Sequence, residues 1–294
     1  MGTYLDFLKE SAEKAGNIAC MGLDPIAECL VRITPYGSDS HAMEDHVFSL
    51  LHKIRQSNLS PAAFKPNIGY YSVFDTNWLE FQTDDCSGLG KLKTVLSALR
   101  EAFEDVPVIL DSKRGDIAKS SANYAAEAFD VYSADAVTVS PYMGTDSVMP
   151  FAVGNKGVYV LCRTSNPGAA VIQNLRLENG EELYMHVARQ IIEWSRDFEG
   201  FGAVVGATNL REFENIAKLF APHRIPMLIP GVGSQGGSAK DVIEIMRKAG
   251  YPLYLARINS SSALTHPWKK GPAPSDWLDQ CMANIRKLIE ETAI

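Results

Sequence analysis

Asp111, Lys113 and Asp116 crowd one short run, Asp-Ser-Lys-Arg-Gly-Asp-Ile, directly after the apolar stretch VPVIL. Side chains alternate along an extended strand, so Asp111 and Lys113 point to one side and Ser112 to the other. Gly115 permits a sharp turn, and Asp116 then stands near the start of the next helix, where a carboxylate suits the helix dipole. A charged pair followed by a helix cap could serve structure alone. Two companions argue for chemistry: Lys65 in Phe-Lys-Pro-Asn and Asp24 in Gly-Leu-Asp-Pro also end apolar runs. If those runs are neighbouring parallel strands, four charged strand ends converge on one rim.

The elements that must position them follow a regular rhythm. Short β-rich runs bounded by Gly, Pro or Asp occur at 17–23, 61–66, 107–113, 135–140, 157–163, 202–207, 225–232 and 252–258. Most are continuously apolar, as strands covered on both faces should be. Helical patterns lie at 45–56, 90–103, 117–132, 181–196, 209–220, 239–249 and 275–292, and the fourth connection, 145–153, is short. Eight strand-helix units point to an α/β fold, a (β/α)8 TIM barrel occupying 1–294 as a single domain. An open doubly wound sheet is the alternative. The polar segment 75–90 is the longest irregular insertion and would lie on the face where barrel active sites form.

Composition narrows the functional classes. The chain has 294 residues, 46% of them hydrophobic, enough for one substantial core. A formal net charge of -7 disfavours nucleic-acid or anionic-membrane partners, which require a basic field. The five cysteines form no CxxC pair or Cys/His grouping, and the six histidines show no ligand spacing, so no metal is expected. Reduced thiols and a charged N-terminus without a signal-like stretch imply a cytoplasmic location.

Two further runs could hold a ligand. Pro-Gly-Val-Gly-Ser-Gln-Gly-Gly at 230–237 follows the seventh β-rich run and precedes a helix, so successive N–H groups can face an anion. Arg257, read as the end of the eighth strand, would add a bidentate phosphate donor. Arg163-Thr-Ser-Asn-Pro-Gly after the fifth strand offers hydroxyls and an amide to a planar polar edge, although such runs are usually turns.

DxKRxDI after an apolar strand, FKPN on the preceding one and GLDP on the first resemble the orotidine 5'-phosphate decarboxylase family. CRTSNPG and PGVGSQGG are similar to its larger, mainly bacterial branch, type 2, which also looks like apicomplexan versions. The resemblance spans 6–264. It implies decarboxylation of orotidine 5'-phosphate to UMP, the last step of de novo pyrimidine nucleotide synthesis, without a cofactor. Lys65, Asp111, Lys113 and Asp116 would be the catalytic charges. The resemblance further implies a homodimer with shared sites, in which Asp116 and Ile117, accompanied by Ser120, enter the neighbouring subunit's pocket. Asp24 would bind a ribose hydroxyl, and Asn67 would lie near ribose or phosphate. Thr164 and Ser165 would contact the base, Pro230 would flank it, and Gln235 and Arg257 would hold the phosphate. Ala256 departs from the glycine usual before that arginine.

The chemistry suits these residues. Loss of carbon dioxide leaves an electron pair on a ring carbon with no adjacent sink, and the sequence carries no dinucleotide fingerprint or Walker loop, leaving preorganised charge as the available tool. The nearest rival is a related Mg²⁺-dependent phosphate-sugar decarboxylase or aldolase barrel, which usually carries an acidic residue where this chain has Lys65. A non-catalytic nucleotide-binding barrel is the rival from another class.

Overall fold

A computed structural model describes residues 2–31, 39–75, 88–232 and 237–294. Its strands are β1 (Ala19–Leu23), β2 (Ala63–Pro66), β3 (Ile109–Arg114), β4 (Ala136–Val139), β5 (Gly157–Arg163), β6 (Phe201–Val205), β7 (Met227–Ile229) and β8 (Ala256–Ser260). All paired neighbours run parallel, in the order β2-β1-β8-β7-β6-β5-β4-β3. The two ends of that row meet through isolated bridges, Phe64 with Val108 and Asn67 with Asp111, so the sheet forms a nearly closed barrel. Buried Val, Ile, Ala and Phe fill strands covered on both faces, as a parallel barrel requires.

The helices are α1 (Tyr4–Ala15), α2 (Asp39–Gln56), α3 (Ile68–Ser72), α4 (Gly88–Ala102), α5 (Ala118–Ala126), α6 (Thr145–Val148), α7 (Ala170–Gln173), α8 (Leu183–Asp197), α9 (Leu210–Phe220), α10 (Ala239–Lys248), α11 (Ser262–Thr265) and α12 (Trp277–Glu291). The fourth connection is short, as expected: α6 passes straight into a 3₁₀ turn, Met149–Phe151. At the end of α5 the backbone widens into a π-helical turn, Glu127–Val131. The expected insertion at 75–90 falls almost wholly outside the described residues. Among those residues, no helix is long and apolar enough to cross a membrane.

Two departures from the sequence expectation shape the N-terminal end of the barrel. The first is α1, which was not expected. A Thr3–Asp6 capping box starts it and Gly16, at φ 67°, ends it, while Tyr4, Leu5, Leu8 and Ala12 are buried. It covers the N-terminal end of the barrel: the Tyr4 hydroxyl donates to the Tyr159 hydroxyl, and the Ser11 hydroxyl donates to the Ala62 carbonyl. Gly157 is required beneath it, because a Cβ there would lie 2.2 Å from the Tyr4 ring.

The second is β8, expected at 252–258 but found at Ala256–Ser260. The apolar Leu253–Leu255 forms a 3₁₀ turn that carries the chain from α10 beneath the barrel. This shift moves Arg257 from the end of a strand to its beginning.

Candidate active site

The C-terminal ends of β2 and β3 bring three charges together. Lys65 Nζ lies 2.8 Å from Asp111 Oδ2, and Lys113 Nζ lies 2.5 Å from Asp111 Oδ1. Lys65 and Asp111 are 5% and 6% exposed, whereas the Lys113 side chain is 46% exposed. Asp111 receives two more donors: the Thr138 hydroxyl at 2.8 Å and, more distantly, Asn67 Nδ2 at 3.4 Å. Such a buried cluster holds its charges only because each pays for the other's desolvation.

The titration behaviour reflects that balance. Burial opposes the Lys65 charge, but Asp24 and Asp111 outweigh it and raise the ammonium pKa above the usual lysine value. Burial likewise opposes the Asp111 charge, but Lys65 and Lys113 outweigh it and hold the carboxyl well below its usual range. Both groups therefore stay ionised at neutral pH. Asp24, immediately after β1, is buried, and its Oδ1 has no hydrogen-bond partner among the described residues.

Lys113 does not reach Asp111 by simple alternation. Its φ is +48°, in the left-handed region, at a cost of roughly 1–2 kcal/mol for a non-glycine residue. The β3–β4 register shifts between Leu110 and Arg114, a local bulge of the kind that re-aims side chains beside active sites. Gly115 completes the turn, where a Cβ would lie 2.7 Å from the Ser140 carbonyl oxygen.

Asp116 makes no hydrogen bond or ion pair with this row among the described residues, and its Oδ1 accepts from the Ile117 N–H. Ile117 is 59% exposed, and the Ser120 N–H donates to the Ile117 carbonyl. The remaining expected residues are mostly engaged locally. Asn67 caps α3, its Oδ1 accepting from the Gly69 N–H. The Thr164 hydroxyl donates to Asn166 Oδ1 and accepts from Gln173 Nε2, so it is tied within its own loop. The Ser165 carbonyl accepts from the Thr208 hydroxyl, and the Pro230 carbonyl accepts from the Ala207 N–H. Gln235 lies outside the described residues.

Arg257 corrects the sequence reading. It is fully buried near the start of β8, at the opposite end of the barrel from Lys113. Its guanidinium donates to the carbonyls of Ala62, Tyr254, Ala256 and Leu8 at 2.7–3.0 Å. With those donors spent on the floor, it is not a phosphate ligand at the mouth.

Two further polar residues, Thr138 and Asn259, carry no role in the sequence expectation, although the run Asn259-Ser-Ser-Ser262 is unusual. Thr138 is a hydroxyl inside the otherwise apolar AVTV of β4, which was its only sequence signal. Asn259, two residues after Arg257 on β8, is buried with an unpartnered Oδ1 among the described residues. A cavity of about 680 Å³ between the β4 and β5 loops and α8 shares Ser140 and Thr164 with the rim but contains none of the clustered charges. Charge geometry, rather than hollow size, therefore marks the site.

Fold and site together define a (β/α)8 barrel carrying a lysine-carboxylate-lysine row at its C-terminal mouth. The chain belongs to the orotidine 5'-phosphate decarboxylase / HUMPS family, whose sequence model matches residues 49–252. It is 37% identical over 268 residues to a Verminephrobacter eiseniae protein named orotidine 5'-phosphate decarboxylase, covering 90% of this chain and 89% of that one. A Bordetella pertussis protein of the same name is 35% identical, with 90% of each chain covered. The solved structure of Leishmania donovani OMP decarboxylase superposes with a TM-score of 0.75 at 30% identity, covering 99% of this chain and 98% of that one.

Proposed function

We propose that this chain decarboxylates orotidine 5'-phosphate to UMP, closing de novo pyrimidine nucleotide synthesis, by direct electrostatic catalysis without metal or organic cofactor. The observation that carries this reading is the Lys65–Asp111–Lys113 row, with Lys113 alone of the three substantially open to the mouth. As the C6–carboxylate bond breaks, its electron pair stays on C6 and carbon dioxide departs. The Lys113 ammonium stabilises that pair and then donates a proton to C6. Asp111 holds Lys113, and Lys65 compensates Asp111 from behind. No redox partner is required, because the proton replaces the carboxylate and the electrons remain on the ring.

The rest of the reading assigns binding roles. The unpartnered Asp24 Oδ1 accepts a ribose hydroxyl, with Asn67 close by. Loop 230–237, through its N–H groups and Gln235, takes the phosphate, while Pro230 flanks the base. Thr164 and Ser165 face its polar edge, with Thr164 exchanging one of its loop bonds for the ligand. The whole chain, 1–294, works as one barrel domain in a homodimer, where Asp116, Ile117 and Ser120 complete the neighbouring pocket. The exposure of Ile117 and the lack of an ion pair between Asp116 and Lys113 among the described residues support this sharing. The four described cysteines are buried free thiols, in keeping with a cytoplasmic location.

The test is carbon dioxide release from orotidine 5'-phosphate by purified protein in excess chelator. Stoichiometric UMP formation, undiminished by the chelator, is expected. Absence of turnover, or turnover restored only by a divalent ion, contradicts the reading.

A further inference from the structure

We propose that Thr138 is a positioning residue for the reaction, its single hydroxyl fixing both the Asp111 carboxylate and the Lys113 backbone. This rests on the decarboxylase reading above.

The direction of each hydrogen bond follows from donor chemistry. The Lys113 backbone N–H can only donate, and it meets Thr138 Oγ1 at 3.0 Å. The hydroxyl accepts there, which leaves its proton for Asp111 Oδ1 at 2.8 Å, an atom that can only accept while ionised. One side chain thus bridges the main chain of the proton donor and the carboxylate that holds its ammonium. Thr138 is 1% exposed, so water does not substitute for it.

The bridge fills a gap in the sheet. The regular β3–β4 ladder pairs Ile109 with Ala136 and Leu110 with Val137, then slips before Arg114 pairs with Val139. Lys113 lies inside the slip with its left-handed φ, and its N–H finds the Thr138 side chain where a regular ladder would supply a carbonyl. Without that acceptor the strained turn has one fewer restraint, and the ammonium it carries loses its fixed place beside Asp111. Asp111 Oδ1 meanwhile shares its load between Thr138 and Lys113, while Oδ2 serves Lys65 and Asn67. Removing Thr138 unbalances the two oxygens and frees the carboxylate to rotate.

Thr138→Val keeps the shape and deletes the hydroxyl, whereas Thr138→Ser keeps the hydroxyl and deletes a methyl. For Thr138→Val, kcat for orotidine 5'-phosphate should fall by about 10- to 100-fold with KM within about twofold, since positioning errors act on the reacting geometry rather than on binding. Thr138→Ser should recover kcat to within about threefold of wild type. Hydrogen exchange at the Lys113 amide supplies a readout independent of turnover. It should be at least about tenfold faster in Thr138→Val and unchanged in Thr138→Ser. Should Thr138→Val not fold, Thr138→Ala, with the same exchange and kinetic measurements, takes its place.

A serine variant no better than the valine variant in kcat or in Lys113 amide exchange would show that the hydroxyl is not what matters and overturn the proposal, as would wild-type kcat with an unchanged Lys113 amide in Thr138→Val. If wild-type protein fails to turn over orotidine 5'-phosphate, the decarboxylase reading falls. The amide exchange then decides separately whether Thr138 fixes Lys113.

Discussion

Both ends of this barrel contain a buried cation, but they handle it in opposite ways. At the floor, Arg257 is enclosed by four backbone carbonyls and stands beside Tyr4, Tyr159 and Tyr251. Burial pushes Tyr159 up to about 12 and the other two phenols well above their usual value, so the guanidinium's phenol neighbours are neutral. At the mouth, Lys65 and Lys113 share a carboxylate, and Lys113 remains open on one side. Neutral dipoles arranged all round a cation use up its donors and make it a fixture. A shared anion holds a cation in place yet leaves part of its field for something else. The comparison shows why residue type alone does not assign a site: the arginine that reads as a ligand is a fixture, and the half-exposed lysine is the group that the proposed reaction uses.

Substitutions at the two ends should separate these roles. The largest effect is expected from Lys113→Ala. A unit charge pair about 4 Å apart at an effective dielectric near 20 is worth roughly 4 kcal/mol. Steady-state kinetics should therefore show kcat lower by at least about a thousandfold, with the denaturation midpoint little changed. Near-normal turnover by that variant would erase the distinction between the ends.

A mixing experiment comes next in size. Each of Lys113→Ala and Asp116→Ala should be inactive alone. Random subunit exchange should recover about a quarter of wild-type activity, because half the dimers then hold one intact site of two. No recovery, with exchange verified by mass spectrometry, would remove Asp116 from a shared pocket.

At the floor, Arg257→Met should lower stability by about 3–5 kcal/mol in chemical denaturation, since several buried carbonyls lose their donors. The KM for orotidine 5'-phosphate should stay within about twofold of wild type in the folded fraction. A large KM rise with normal stability would place Arg257 back in the ligand site.

Much of this was readable in the residues themselves. The alternation of apolar runs and helical patterns carries the barrel, and charges after apolar strands carry Lys65, Asp111 and Lys113, because strand ends on one rim must meet. The errors have a local cause. Leu-Tyr-Leu before Arg257 has strand composition, but the chain needs a turn there, and composition cannot fix register. A slip of a few residues exchanges the two ends of a barrel only five residues deep at β8. The helix α1 was missed because its partner surface, the barrel floor, exists only once the strands have closed. Thr138 escaped notice because a threonine within a strand ordinarily signals β propensity, and its role depends on a bulge in the neighbouring strand.

The bridges between β2 and β3 carry a last implication. Every other adjacent pair is held by a ladder, but this join rests on two isolated bridges, one of which includes Asp111 itself. The Lys65–Asp111 ion pair spans the same join. The proposed catalytic row is therefore also part of the clasp of the barrel, placed where the strand pairing is sparsest. A molecule that tightens this clasp would zip the cylinder shut along its full circumference, and one that pries it apart would begin to unroll the sheet.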